Sequence, residues 1–346
     1  MTDLQRHRSN RRSTVAWVLA IALVSVAGPN CAAAQSTSNA QLEQALENLI
    51  EAFPGRAGVA VRHVDTGVGA AVDAETPYPM ASTYKVPILV EMMARIEAGE
   101  LSLDTEIELQ PSDQHIGSGL LQDLWAPGMT LTLHNLATMM IILSDNSATD
   151  MIIDRLGAGA ITAQMRSLGY DDIRVDRTTL ELIVDFLGVP YEGLEEASRE
   201  EIEAELAKFD FDSSAAQNAA EDFYVDGLDN ASAAQMNDLL VRIANGEIVS
   251  TEGSATIVEI LKKTQTGANR LRGLLPAGIT LAHKTGTIGR VVDDVGIVWL
   301  PDDLGRFAIS VYTLADEGVD TATSERLIAD LARTSYDFFL FQPPPR

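Results

Sequence analysis

The sequence predicts an α/β protein: an antiparallel sheet built from both chain ends, with flanking helices, joined to an all-helical lobe. Three observations carry this. Short alternating or β-branched apolar runs occur near the two ends of the chain. Between about residues 76 and 274 the apolar period is mainly helical, with Leu and Met in place of β-branched runs. The 346 residues, 46% hydrophobic and 22% charged, can bury a large core and are too apolar for general disorder. One catalytic domain is expected, with a sheet lobe from about 40–75 and 275–346, a helical lobe from about 76–274, and a site at the seam between them.

Taken in order, Arg6, Arg8, Arg11 and Arg12 precede an apolar run over residues 15–27, Gly28-Pro29-Asn30 breaks it, and Ala32-Ala33-Ala34 follows. A basic start, an apolar core short for a bilayer span and a small-residue end mark residues 1–34 as a secretory signal peptide cut after Ala34. The mature chain, 35–346, is then expected in the periplasm or secreted, with no stable membrane anchor. The cut would remove four arginines and one aspartate and take the net charge from −25 to −28. A surface this acidic repels phosphate backbones, so no nucleic-acid partner is expected. The cut also removes Cys31, the single cysteine, and leaves a fold held by its core alone. His63, His115, His134 and His283 are too scattered for a metal site, and no cofactor is expected. His115 reads as a surface histidine or one bordering the cleft.

Leu42, Leu46, Leu49, Ile50 and Phe53 mark a first helix, stopped by Pro54-Gly55. Residues 58–64 and 67–72, on either side of Asp65-Thr66-Gly67, read as a hairpin. Strand character returns at 279–283, 294–300 and 307–314, and a helix over about 323–341 closes the chain. The stretch 185–226 holds thirteen acidic residues against Arg199 and Lys208, with a capping box at Ser198 and Glu201. About 184–228 is therefore an acidic loop insertion, either a solvated surface helix or a lid over the site.

Five lysines make up the whole complement: Lys85, Lys208, Lys262, Lys263 and Lys284. Ser82 and Lys85 open a helix that continues through Ile88, Leu89, Met92, Met93 and Ile96, and residues three apart share a helix face. A serine hydroxyl becomes a nucleophile when a base takes its proton, and a lysine buried beside a second cation can be that base. Ser144-Asp145-Asn146 follows an apolar run and is either an N-cap or a proton relay with an amide donor. Lys284-Thr285-Gly286 is expected at a strand end. There it is either an exposed turn or a carboxylate-binding pair, with Gly286 admitting a substrate backbone to the strand edge.

In this order the three motifs resemble those of the penicillin-recognising serine hydrolases, and class A β-lactamases in particular. The resemblance extends to residues 78–87, to Gly117-Ser118-Gly119-Leu120-Leu121-Gln122, to Leu156-Gly157 and to Leu274 and Pro276, and covers about 40–340. It implies a β-lactamase/transpeptidase-like fold. Ser82 would be the acylated nucleophile and Lys85 its proton acceptor. Ser144 would pass a proton toward the leaving nitrogen, supported by Lys284. Asn146 would bind the substrate's side-chain amide, and Thr285 with Lys284 its carboxylate, beside Gly286. The backbone N–H groups of Ser82 and Thr287 would form the oxyanion hole. Arg270 matches an arginine that some members place beside the carboxylate, with Arg290 as its rival.

The departure is at Arg177-Thr178-Thr179-Leu180-Glu181-Leu182-Ile183, where class A enzymes typically read Arg-x-Glu-x-x-Leu-Asn. The resemblance puts Thr179 in place of the glutamate that activates the deacylating water, Ile183 in place of its asparagine partner, and Asp229 as the partner of Arg177. General-base help is worth roughly two to four orders of magnitude, so slow or rerouted deacylation is expected. Glu181, Asp185 and Glu192 are the candidate substitutes. Three functions follow. One is a serine β-lactam hydrolase. Another is a D-alanyl-D-alanine peptidase or esterase of the same fold, favoured by Thr179 and His283. The third is a β-lactam-binding protein that stays acylated. The sequence gives no sign of oligomeric state.

Overall fold

The computed structural model describes residues 37–342, so the expected signal peptide lies outside the described residues. Five strands, β1 (Gly55–His63), β2 (Val68–Val72), β3 (Leu281–Ile288), β4 (Val291–Trp299) and β5 (Arg306–Ala315), pair antiparallel in the order β2-β1-β5-β4-β3. A two-residue strand, Thr37–Ser38, adds parallel to β2 at one edge. Both chain ends thus contribute to one sheet.

Side chains alternate across a strand, so β5 serves two cores. Phe307, Ile309 and Val311 pack with Leu42 and Leu46 of α1 (Ala40–Glu51) and with Ile328, Leu331 and Phe339 of α11 (Thr321–Phe341). Ala308, Tyr312 and Leu314 face the other way, onto Met236, Leu239 and Leu240 of α9 (Ala233–Asn245) and the rest of the helical lobe. At the centre of that lobe, α2 (Lys85–Glu97) is buried from Lys85 to Met93, which is why its apolar pattern has no polar face. Around it stand α3 (Leu133–Ile142), α4 (Asn146–Leu156), α5 (Ala158–Ser167) and α10 (Thr251–Leu261). Side-chain oxygens of Thr132, Asp145, Ser232 and Ser250 cap α3, α4, α9 and α10 by accepting first-turn N–H groups. No helix of the described residues is long and apolar enough to cross a membrane.

Two expectations change. Lys284 is not at a strand end: β3 continues to Ile288 and turns tightly into β4, which starts three residues before the expected strand. Polar residues hid this hairpin, and each finds a partner within the sheet. Asp294 lies 2.9 Å from His283 Nδ1, and Asp293 accepts from the Thr313 N–H at 2.9 Å.

The acidic insertion is more than a solvated helix. It carries α6 (Thr179–Leu187), α7 (Arg199–Leu206) and α8 (Ser214–Phe223), with capping boxes at Thr178/Glu181 and Ser198/Glu201. Leu180, Val184, Val189, Leu194 and Ile202 give it a core of its own. The buried Arg177 ties its two ends together, donating to Asp229 at 2.6 Å, Asp185 at 2.8 Å and Asp226 at 3.1 Å. Arg199 anchors α7 to Asp123 at 2.6 Å. Arg290, at the β3–β4 turn, pairs with Glu221 of α8 and lies 4.7 Å over the Tyr224 ring.

Candidate active site

Ser82 sits half-buried in a single 3-10 turn, Ala81–Tyr84, that runs straight into α2. The turn packs on β3 at the point where a side chain would collide. A Cβ on Gly286 would stand 2.5 Å from the Met80 carbonyl oxygen and 3.2 Å from the Ser82 nitrogen. Gly286 therefore admits the protein's own Ser82 turn to the strand, where the sequence had suggested a substrate backbone.

Lys85 is fully buried and donates to the Ser144 carbonyl oxygen at 2.7 Å, to Asn146 Oδ1 at 2.9 Å and to Ser144 Oγ at 3.2 Å. Lys284, also fully buried, reaches Ser144 Oγ at 3.0 Å from the sheet side and donates to the Thr285 carbonyl oxygen at 2.7 Å. One hydroxyl is thus bridged by two amines. Burial lowers Lys85 from 10.5 to about 7, against the opposing charges of Asp150 and Asp145. Burial, and then the charge of Lys85, hold Lys284 well below its ordinary value. Ser144 keeps a left-handed backbone, φ 57°, and Asp145 rather than Ser144 caps α4.

The opposite wall comes from the loop 115–122. Ser118 Oγ donates to the Ser144 carbonyl oxygen at 2.6 Å, and Asn146 Nδ2 donates to the Ile116 carbonyl oxygen at 3.0 Å. Gly117 has φ 101°, and a Cβ there would lie 2.5 Å from Asn146 Nδ2. Asn146 is therefore held from both sides, with one amide hydrogen left over. On the sheet side, Thr285 Oγ1 lies 2.6 Å from Thr266 Oγ1. Arg270 is buried behind β3. Its guanidinium donates to the carbonyl oxygens of Gly286 at 2.7 Å and Asp293 at 2.9 Å, and to Thr287 Oγ1 at 2.6 Å. It fixes Thr287 from behind, whereas Arg290 is engaged with the insertion.

Ser82, Tyr84, Asn146, Thr179, Ile183 and Thr287 line one cleft of about 180 Å³. Glu181, Asp185 and Glu192 are not in that lining: Glu181 caps its own helix, Asp185 pairs with Arg177 and Glu192 is exposed. Instead, a carboxylate that sequence reasoning missed lies directly behind Thr179. Asp150, 1% exposed, accepts from the Thr179 N–H at 2.6 Å, the Thr179 hydroxyl and the Leu180 N–H at 3.0 Å, and lies 2.6 Å from His115 Nδ1. Tyr84 OH donates to Thr179 Oγ1 at 3.1 Å. His115 is buried, contrary to the surface reading. Burial would lower its imidazole, but the hydrogen bond and charge of Asp150 prevail and raise it. The available signal was spacing, since Asp150 follows Asn146 by one helical turn and so shares its face.

A model of the beta-lactamase enzyme family matches residues 41–339. The chain is 26% identical to the beta-lactamase VEB-1 of Pseudomonas aeruginosa, over 88% of this chain and 93% of that one. It is 28% identical to the carbapenem-hydrolyzing beta-lactamase KPC of Klebsiella oxytoca, over 82% and 84%. Among solved structures, an ancestral class A beta-lactamase superposes with a TM-score of 0.69 at 26% identity, covering 86% of this chain and 100% of that one. A mutant of PBP-A, solved as an acyl-enzyme complex with penicillin G, superposes with a TM-score of 0.69 at 25% identity, covering 88% and 98%. With the fold, the order of its motifs and a family match spanning nearly all the described residues, the chain belongs to the beta-lactamase enzyme family, on its class A side.

Proposed function

We propose that this chain is a serine β-lactam hydrolase, exported to the periplasm or secreted, that opens the β-lactam ring through a Ser82 acyl-enzyme. The observation that carries the reading is Ser144 Oγ bridged by two buried amines, 3.2 Å from Lys85 and 3.0 Å from Lys284. A neutral Lys85 takes the Ser82 proton as Ser82 Oγ attacks the ring carbonyl. The backbone N–H groups of Ser82 and Thr287 receive the developing oxyanion. Ser144 then passes a proton to the ring nitrogen as the C–N bond breaks, Lys284 lowers the cost of the transient negative charge on its oxygen, and Lys85 hands the proton taken from Ser82 on to Ser144, 3.2 Å away. Thr285, Thr287 and the Lys284 amine provide the surroundings for the substrate carboxylate.

The test is incubation of the purified protein with a chromogenic cephalosporin and a penicillin, following turnover and intact mass together. Turnover with a transient adduct is expected, and Ser82→Ala should lose both. Thr179 favours a second reading, because it presents a neutral hydroxyl where class A relatives use a glutamate. A persistent adduct would make the chain a β-lactam-binding protein that stays acylated. Release of D-alanine from a cell-wall peptide would make it a peptidase.

A further inference from the structure

We propose that this chain deacylates through a Thr179–Asp150 relay, in which the Thr179 hydroxyl takes the proton of the attacking water while handing its own to Asp150. The inference rests on the reading that Ser82 forms an acyl-enzyme. Three features of the site carry it.

The first is placement. Thr179 and Ser82 line the same small cleft, so a water held between them would face both the ester and the threonine hydroxyl. The second is polarity. Thr179 Oγ1 accepts from Tyr84 OH and donates to Asp150, the much closer of its two acceptors, the Asn146 carbonyl oxygen standing 3.5 Å away. A hydroxyl has one proton and two lone pairs, so one lone pair remains. The carboxylate of Asp150, meeting the backbone N–H groups of Thr179 and Leu180 and the His115 ring nitrogen, is fixed as an acceptor. The Thr179 proton therefore points inward, and what the threonine offers the cleft is an acceptor. The third is the lack of a rival carboxylate in the cleft lining, since Glu181, Asp185 and Glu192 are all turned elsewhere.

The step balances. The water oxygen bonds to the acyl carbon of the Ser82 ester, and the carbonyl π pair moves onto the oxyanion. One water proton goes to Thr179 Oγ1, whose own proton goes to Asp150 Oδ1. When the intermediate collapses, the bond from the acyl carbon to Ser82 Oγ breaks. Asp150 returns its proton to Thr179, and Thr179 gives one to Ser82 Oγ, leaving free serine and the carboxylic acid. Thr179 is the catalytic residue here. Asp150 acts through it, and His115 and Tyr84 position the pair.

The experiment measures acylation and deacylation separately, by time-resolved intact mass after mixing the whole protein with a penicillin. Thr179→Val keeps the shape and removes the hydroxyl, Thr179→Ser keeps the hydroxyl, and Asp150→Asn removes the final acceptor. The expected result is an adduct lifetime ten- to a hundredfold longer in Thr179→Val and Asp150→Asn, acylation rates within about threefold of the parent, and Thr179→Ser close to the parent. A structural role alone would not separate Ser from Val in deacylation while sparing acylation. Equal lifetimes in the parent and Thr179→Val overturn the relay and leave the hydrolase reading standing. A parent adduct that never clears while acylation is intact overturns the relay as well, and makes the chain a β-lactam-binding protein that stays acylated. If no adduct forms on Ser82 in any of these proteins, the hydrolase reading fails first.

Discussion

On one side of the cleft two lysine amines converge on Ser144; on the other a single carboxylate, Asp150, lies behind Thr179. Both arrangements bury charge beneath a hydroxyl, but they leave that hydroxyl in opposite states. The paired amines can each donate to Ser144, and burial, joined for Lys284 by the charge of Lys85, drives them toward the neutral form, so protons move readily there. Asp150 is surrounded by donors and draws the Thr179 proton inward. A hydroxyl flanked by amines can deliver a proton to a leaving group. A hydroxyl backed by a carboxylate can accept one from water. The direction of proton transfer thus follows from what stands behind each hydroxyl.

The lysine side gives the largest test of this contrast. Replacing Lys85 with Met removes the base for Ser82, and acylation should fall about 10²- to 10⁴-fold, read from the rate of adduct formation. In the parent the same group sets the pH dependence. Lys85 must be neutral to accept a proton, and its pKa is lowered to about 7. Acylation should therefore fall about tenfold per pH unit below 7 and level off above it. Stability should rise with pH between 7 and 10.5, where the unfolded chain holds a proton that the folded one has shed. A rate that keeps climbing through pH 9 would remove Lys85 from the role of neutral base.

The carboxylate side can be rebuilt, with a smaller effect. Thr179→Glu by itself places a second carboxylate against the buried Asp150, and two such groups cannot both ionise at close range. This single variant should be less stable than the parent and little faster in deacylation. Thr179→Glu combined with Asp150→Asn replaces repulsion with an amide donor, and adduct lifetime should shorten at least about tenfold. A double variant no faster than the single one would mean that Asp150 does not control what residue 179 can do.

The two sides also differ in how far they could be read from the chain. Ser82 and Lys85 are three apart, Ser144 and Asn146 share a tripeptide, and lysine is scarce, so each stood out. The sheet was legible from its end-loaded apolar runs, but the β3–β4 hairpin was not, because Asp293 and Asp294 look like loop residues until Thr313 and His283 are seen beside them. Thr179 stood out only through the resemblance, and Asp150, 29 residues before it, taken alone is an ordinary helix residue. Their meaning comes from α4 passing under the start of α6, a tertiary fact that no local pattern encodes. The insertion was hidden in a similar way. Thirteen acidic residues suggested solvent, while its order comes from a few apolar positions and from Arg177 holding both ends.

The smallest effect tests the backbone that both sides share. Ala81, just before Ser82, has φ 41°, and Ser144, beneath the two lysine amines, has φ 57°, so left-handed residues stand at two points of the site. Ser144 cannot become glycine without losing its hydroxyl, but Ala81 can. Ala81→Gly relieves about 1–2 kcal/mol of left-handed strain. Against this, glycine adds about 0.5–1 kcal/mol of unfolded-state entropy, and the lost buried methyl costs about 0.8 kcal/mol. The terms nearly cancel, so the melting temperature should move by no more than about 4 °C. Acylation should fall severalfold, because the turn that aims Ser82 loses its stiffness while the rest of the cleft is unchanged. Deacylation through Thr179 starts from an ester already anchored at its acyl end and should change less. Equal losses in both steps would show that Ala81 supports the whole cleft, and the two sides would then share a frame as well as a floor.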